Sequence, residues 1–315
     1  MVIVVHELMI VISALLPVMV TTGMGWFAGS RRLIDTTHIP SLNSFVMNFA
    51  LPCAMFVAIG SSSRADLLGA TWLLVVIMAA MAITFAGMWP LLRRIQHVAW
   101  HDAAVLAITA AMPNSAAVGL PLLGALFGPS AALPVSLAVA AGSLTITPAT
   151  IVLLRTNPDD HVTARQVGTT LLATLRKPIC FAPLAGAVWV LVAVPFPGWL
   201  HTTLTPLAQT AGGAALFVTG LVLSTQRLGI SRNTSAIVIA KNLIQPLIGL
   251  GLCAALPISP PLERQALVLL AIPSGFFGLL FGLDHDVAPR DAGWGLTAST
   301  LAAAVTLSVA VSITL

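Results

Sequence analysis

Residues Ala110 to Gly128 read AAMPNSAAVGLPLLGALFG. The stretch is apolar enough to lie in hydrocarbon. Yet it holds Pro113, Asn114, Ser115, Gly119, Pro121 and Gly124, poor choices for an uninterrupted helix. A proline within a helix removes one backbone donor and clashes with the preceding turn. In lipid no water satisfies the freed carbonyls, so such a break persists only where it is buried in protein or lines a cavity. A second stretch of the same character, LLAIPSGFFGLLFGL, spans Leu269 to Leu283, with Pro273 in the place of Pro113. Two interruptions in matching places of two halves are the sequence pattern of a transporter binding site.

Composition agrees that lipid is the solvent. The 315 residues are 58% hydrophobic and 8% charged, with a mean hydropathy of +1.00, whereas a soluble domain carries roughly a quarter charged residues. At about 20 apolar residues per span, ten segments emerge, near 6–29, 41–60, 67–92, 101–128, 131–154, 169–194, 202–225, 234–256, 263–282 and 291–314. The expected fold is therefore an all-α membrane protein. The polar run Arg155–Gly168 divides it into a first five-helix repeat (1–154), a connecting loop (155–168) and a second repeat (169–315). An odd number of spans per half turns the second half upside down, an inverted repeat. Pro17 and Pro183, Phe56-Val57 and Phe217-Val218, and Pro113 and Pro273 keep the same order in the two halves.

Loop charges set the orientation. One side would hold Arg31, Arg32, Arg93, Arg94, Arg155, Arg165, Arg176, Lys177, Arg227, Arg232 and Arg290, the other only Arg64 and Arg264. The positive-inside rule then puts both termini outside. The first apolar run has no basic residues before it and is long enough to span, unlike a cleaved signal peptide. Trp26, Trp72, Trp89, Trp100, Trp199 and Trp294 fall near segment ends and read as an interfacial belt. Because the basic residues are spread through short loops, the net charge of +4 does not indicate a nucleic-acid partner. Cys53, Cys180 and Cys253 lie in apolar segments without paired spacing and read as packing residues. Asp284-His285-Asp286 reads as a solvated turn, and no cofactor or metal is expected.

The two breaks suggest a binding site. If each second half-helix begins at its proline, where a missing N–H costs least, two partly positive helix N-termini converge near the bilayer midplane and favour an anion. Asn114, Ser115, Ser274 and Gly275 would add hydrogen bonds or close backbone approach. Carbonyls near Ala111 and Ala271 have the opposite sign and could hold a cation; sodium and a proton are both open as a coupling ion. The competing reading is that each proline merely kinks a packed helix. Lys241, in IVIAKNLIQPLIG, is the one ionisable residue placed inside a span. A lysine there is costly and usually functional, although it sits near enough to the segment end to snorkel. Gln245 lies one turn on, and Asn48, one turn before Pro52, is placed toward the same cavity. Asn43, Ser143, Thr145 and Thr147 are further polar residues within spans. An enzyme would need a nucleophile with its base, or a metal cluster, at membrane depth. The sequence suggests neither, and it has no GxxxxGK[ST] phosphate loop.

The chain resembles the auxin efflux carrier family, which includes plant PIN carriers and bacterial malonate and other organic-acid permeases. The segments that carry the resemblance are LNSFVMNFALPCAMF, AAMPNSAAVGLPLLGALFG, KNLIQPLIG and LLAIPSGFFGLLFGL. The resemblance implies ten helices in two inverted repeats, with crossover helices four and nine, a multi-pass inner-membrane location and transport of a small organic anion. A homodimer is an allowed assembly. By position, the crossover residues are Pro113, Asn114, Pro273 and Ser274. The second crossover lacks the asparagine that the family often has, and the long central loop of the plant carriers is absent, which favours the bacterial branch and a malonate-like carboxylate. A sodium-coupled organic-anion symporter of the bile-acid carrier type is the alternative transporter. A receptor is the alternative outside transport.

Overall fold

The computed structural model describes residues 2–128, 131–157, 168–169, 172–173, 175–225, 229, 231–287 and 290–314. Most of the expected connecting loop, and Arg165 and Arg227, lie outside the described residues. Among those described, the chain is helical, and six helices are long and apolar enough to cross a membrane. They are Ile39–Gly60 (α2), Thr71–Ile95 (α4), Leu133–Arg155, Gly198–Ser224 (α10), Arg232–Ala255 (α11) and Arg290–Ile313. These match the second, third, fifth, seventh, eighth and tenth expected segments. The third segment starts later than expected, because a separate short helix, α3 (Arg64–Gly69), precedes it. Ser63 caps α3 by accepting the Asp66 N–H at 3.0 Å, which satisfies one of the donors that a helix start leaves over.

The first helix, α1, covers Val2–Ser30. The fourth segment is two pieces: α5 (Trp100–Ala111) and α6 (Leu120–Phe127), with a wide π-turn at Ser115–Gly119 leading into α6. The fifth bends at Thr145 between α7 (Ala132–Leu144) and α8 (Ile146–Arg155). α9 is Pro178–Leu191. The ninth segment is divided like the fourth, into α12 (Pro260–Ala271) and α13 (Phe277–Leu283). The last helix, α14, covers Arg290–Thr314.

Prolines also explain the wide turns inside two unbroken helices. α2 opens into a π-turn at Val46–Ala50 just before Pro52, and α11 does so at Ala240–Ile244 just before Pro246. A proline ring collides with the carbonyl four residues earlier, here that of Asn48 or Asn242. Widening the preceding turn relieves the collision without breaking the helix. In α11 this turn points Lys241, Asn242 and Gln245 inward, and all three are buried.

The helices pack in two sets. α1 lies along α10, and α2 packs on both α9 and α10. The α1–α10 seam brings the two backbones together: a Cβ on Gly25 would stand 2.1 Å from the Phe217 carbonyl oxygen, and one on Gly220 2.0 Å from that of Thr22. Small residues allow such approach where lipid provides no hydrophobic drive between helices. The second set, α4, α5, α7, α8 and α11–α14, surrounds the two breaks. α13 packs on α5, α12 on α14 and α11, and α8 on α5.

Candidate functional site

The two breaks meet. Pro113 and Ser274 form an antiparallel bridge. The Asn114 N–H donates to the Pro273 carbonyl at 2.8 Å, and the Gly275 N–H to the Met112 carbonyl at 2.8 Å. Both prolines therefore sit in short extended segments that cross and pair, and neither begins the resumed helix as the sequence reading had it. The pairing draws on carbonyl oxygens and on the N–H groups of Asn114 and Gly275, so the N–H that each proline lacks is not needed. Helical bonding resumes after Pro113 with the Val118 N–H on the Asn114 carbonyl at 2.9 Å, and after Pro273 at Phe277. Gly275 eases this close approach: a Cβ there would lie 3.0 Å from the Pro113 carbonyl oxygen and 3.1 Å from that of Met112, tighter than an ordinary contact.

The crossing is held from α11. Lys241 Nζ donates to the Leu270 carbonyl at 2.7 Å and to Gln245 Oε1. Gln245 Nε2 donates in turn to the Ala111 carbonyl at 2.6 Å. One lysine–glutamine pair thus caps the carbonyl ends of both α5 and α12. Lys241 is fully buried, which replaces both sequence readings of it: its head neither reaches the segment end nor faces an open cavity. A second route runs through Asn242. The Ser274 N–H donates to Ser299 Oγ at 2.9 Å, and the Ser299 hydroxyl donates to Asn242 Oδ1 at 2.6 Å. Asn242 Nδ2 donates to the Ser299 carbonyl at 3.0 Å. From α2, Asn43 Nδ2 donates to the Leu280 carbonyl of α13 at 3.0 Å, a buried bond between the two helix sets.

Against this well-paired frame, some polar atoms have no partner. Asn114 Oδ1 and Nδ2, Ser115 Oγ and Ser274 Oγ are buried without a hydrogen bond among the described residues. Their residues are 0%, 1% and 0% exposed. Thr147 Oγ1 on α8 is in the same condition. Leaving one such group unpaired costs about 1–3 kcal/mol, and native structures hold few of them. Among the described residues seven further buried side-chain atoms also lack a partner, Thr22 Oγ1, Asn43 Oδ1 and Gln265 Oε1 among them, but they are spread over the fold, whereas four are gathered on Asn114, Ser115 and Ser274.

Two cavities open between helices on the face of Ser61, and neither is lined by the crossing residues Pro113, Asn114, Ser115, Pro273, Ser274 or Gly275. One, of about 580 Å3, lies between Pro17, Met55, His201 and Gln209 of the first helix set and Ala117 and Val139 of the second. The other, of about 690 Å3, is lined by Ser62, Asp66, Pro134 and Gln265. Ala58 and Ser61 border both. On the opposite face the sets are tied: Lys177, which precedes α9, pairs with Asp284, which follows α13, at 3.3 Å. The Cys180 thiol donates to the Ser143 carbonyl at 3.2 Å.

Of the residues expected in the site, Pro113, Asn114, Ser115, Pro273, Ser274 and Gly275 are brought together, with Lys241 and Gln245 directly behind them. Asn48 is not part of the group. It is exposed and donates to the Ser44 carbonyl and hydroxyl of its own helix at 3.1 Å, while Asn43 of the same helix is buried. Asn43, read from the sequence only as a polar residue within a span, and Ser299, which the sequence reading did not single out, are supporting residues. Ser299 is a small hydroxyl like several others and gave no signal.

A family model described as Membrane transport protein matches residues 10–311. The chain belongs to this family. It is similar to the uncharacterized transporter YfdV of Escherichia coli (strain K12) and to the proteins of that name in Escherichia coli O157:H7 and Shigella flexneri. Each is 27% identical over 303 residues, which cover 94% of this chain and 95% of the relative. The chain is thus a multi-pass membrane protein of a transporter family, and the broken segments lie within the matched region.

Proposed function

We propose that this protein carries small organic anions across the bacterial inner membrane by alternating access. The reading includes ten spans in two inverted repeats, with the fourth and ninth as crossover helices and both termini outside. The substrate's anionic group would be held at Asn114, Ser115, Ser274 and the backbone around Pro113, Pro273 and Gly275. A malonate-like carboxylate of the bacterial permease branch is the first candidate.

The observation that supports this most is the set of buried, unpartnered side-chain polar atoms gathered on Asn114, Ser115 and Ser274 at the crossing. An asparagine amide and two hydroxyls offer donors, and the resumed helix after Asn114 adds the positive end of its dipole. The arrangement also accounts for an alternating mechanism. Both cavities open on the face of Ser61 and His201, which the charge pattern assigns to the outside. The Lys177–Asp284 pair and the Asn43–Leu280 bond close the other side. Moving the second helix set against the first would open one face as it closes the other.

The test is uptake of labelled mono- and dicarboxylates into liposomes containing the purified protein. Uptake should saturate, and Asn114→Ala should reduce it at least ten-fold while the protein stays folded. Uptake by Asn114→Ala equal to that of the unaltered protein would remove the site assignment. No flux of any carboxylate would remove the substrate class.

A further inference from the structure

A cation would be expected where the carbonyl ends of two half-helices meet, since each end carries about half a negative charge. That place in this protein is taken by a side chain. Lys241 Nζ sits on the Leu270 carbonyl at the end of α12 and on Gln245 Oε1, and Gln245 relays to the Ala111 carbonyl at the end of α5. An ammonium has donors and no acceptor, and both groups it meets are oxygens. Among the described residues no carboxylate pairs with Lys241; the ion pairs there are Lys177–Asp284 and His285–Asp284. What stabilises it is the carbonyl end of a helix and an amide dipole, the ligand types of a site for a bare alkali cation.

We propose that the Lys241 ammonium is a tethered cation occupying the place of an inorganic one, so that this protein's crossing is assembled without sodium. In the carrier reading, on which its meaning for transport rests, organic-anion movement does not draw on a sodium gradient at this position. The fixed charge also serves the anion site, because it neutralises the carbonyl ends that would otherwise repel a carboxylate. The gate is thereby separated from ion binding: no cation has to enter or leave as the helix sets move.

The experiment uses the full-length protein in detergent and needs no substrate. Thermal unfolding is followed in choline chloride and in sodium chloride at equal ionic strength. The unaltered protein should unfold at the same temperature in both, and a sodium-specific rise would overturn the proposal without any variant. Lys241→Ala should unfold several degrees lower in choline chloride and regain at least half of the loss on addition of sodium or methylammonium. The recovery should grow with the logarithm of cation concentration, as expected for a ligand that binds only the folded state. Lys241→Met, which fills the space without charge, should be lowered and stay insensitive to either cation. A Lys241→Met protein as stable as the unaltered one, or a Lys241→Ala protein that neither cation rescues, would show that the ammonium acts only by packing. These readouts are separate from flux, so an absence of carboxylate transport would count against the carrier reading and leave the cation assignment standing.

Discussion

Two buried amides flank the same break and should answer oppositely to truncation. Gln245 is fully paired: it accepts from Lys241 and donates to the Ala111 carbonyl. Gln245→Ala leaves the Ala111 carbonyl bare in a dry interior and takes from Lys241 one of its two acceptors, the Leu270 carbonyl remaining. At about 1–3 kcal/mol per lost buried partner, the loss is about 2 kcal/mol or more. Asn114 is equally buried, but its side-chain atoms have no partner. Asn114→Ala leaves a small cavity, costing around 1 kcal/mol at about 24 cal/mol per Å3. It also removes a polar burden of about 1–3 kcal/mol. The two changes nearly offset, so the ligand-free Asn114→Ala protein should fall within about 1 kcal/mol of the unaltered one. Thermal unfolding in detergent, read by tryptophan fluorescence on both variants side by side, measures the difference. A small stability change for Asn114→Ala joined to lost uptake is the signature of a ligand-holding residue. An Asn114→Ala protein that unfolds as early as Gln245→Ala would show that Asn114 has a structural partner, and the case for a binding site at the crossing would fail with it.

Three further outcomes follow. In Gly278→Ala the new methyl would stand 2.0 Å from Thr109 Oγ1 where α13 meets α5. It should cost about 1–3 kcal/mol by overpacking, and adding Thr109→Ala should restore part of that in the same unfolding assay. Burial pushes the His285 imidazole below its ordinary value near 6.5, with Lys177 acting in the same direction against the Phe281 carbonyl and Asp284. The folded protein therefore takes up this proton less readily than the unfolded chain. The contribution to stability is full above about pH 6.5, declines as pH falls through that value, and levels off below the lowered one. Unfolding temperatures from pH 8 to 5 should fall less steeply for His285→Gln. Asp284→Asn breaks a half-exposed ion pair worth within about 1 kcal/mol, yet it should loosen the closed face. In a protein whose only cysteine is Cys180, labelling by a water-soluble maleimide should speed up at least several-fold; an unchanged rate would mean that the pair does not hold that face shut.

The breaks were legible because lipid makes a rule strict that water relaxes: a proline in hydrocarbon exposes carbonyls that nothing but protein can satisfy. Pro113 and Pro273 announced themselves for that reason, and so did their polar neighbours. What the sequence could not convey was how the freed groups are satisfied. A proline most often starts a helix or kinks one, and either reading fits Pro113 taken alone. The extended pairing exists only because a second break, with Gly275 small enough to approach, comes from far along the chain. Lys241 was recognised as costly, but the direction of its head depends on the π-turn at Ala240–Ile244, which turns three polar residues to one side. The same spacing, an asparagine four residues before its proline, leaves Asn48 exposed ahead of Pro52, although Asn242 at the matching place of α11 is buried. Which side of each helix meets protein is set by packing that the spacing does not carry. Span boundaries, set by hydropathy alone, were off by a few residues where a capping serine intervened, as at Ser63, and by more at the sixth segment, where α9 begins at Pro178.

The crossing has one more implication, which lies in the two backbone bonds that join Met112 to Gly275 and Asn114 to Pro273. Pulling the breaks apart would leave two amide hydrogens and two carbonyls bare in a medium with nothing to offer them. Whatever shifts during a working cycle must therefore shift the joined pair as a single piece. A disturbance felt at either proline is shared at once by a stretch of chain more than a hundred residues away, and inhibitors wedged beside one break would be expected to stall both.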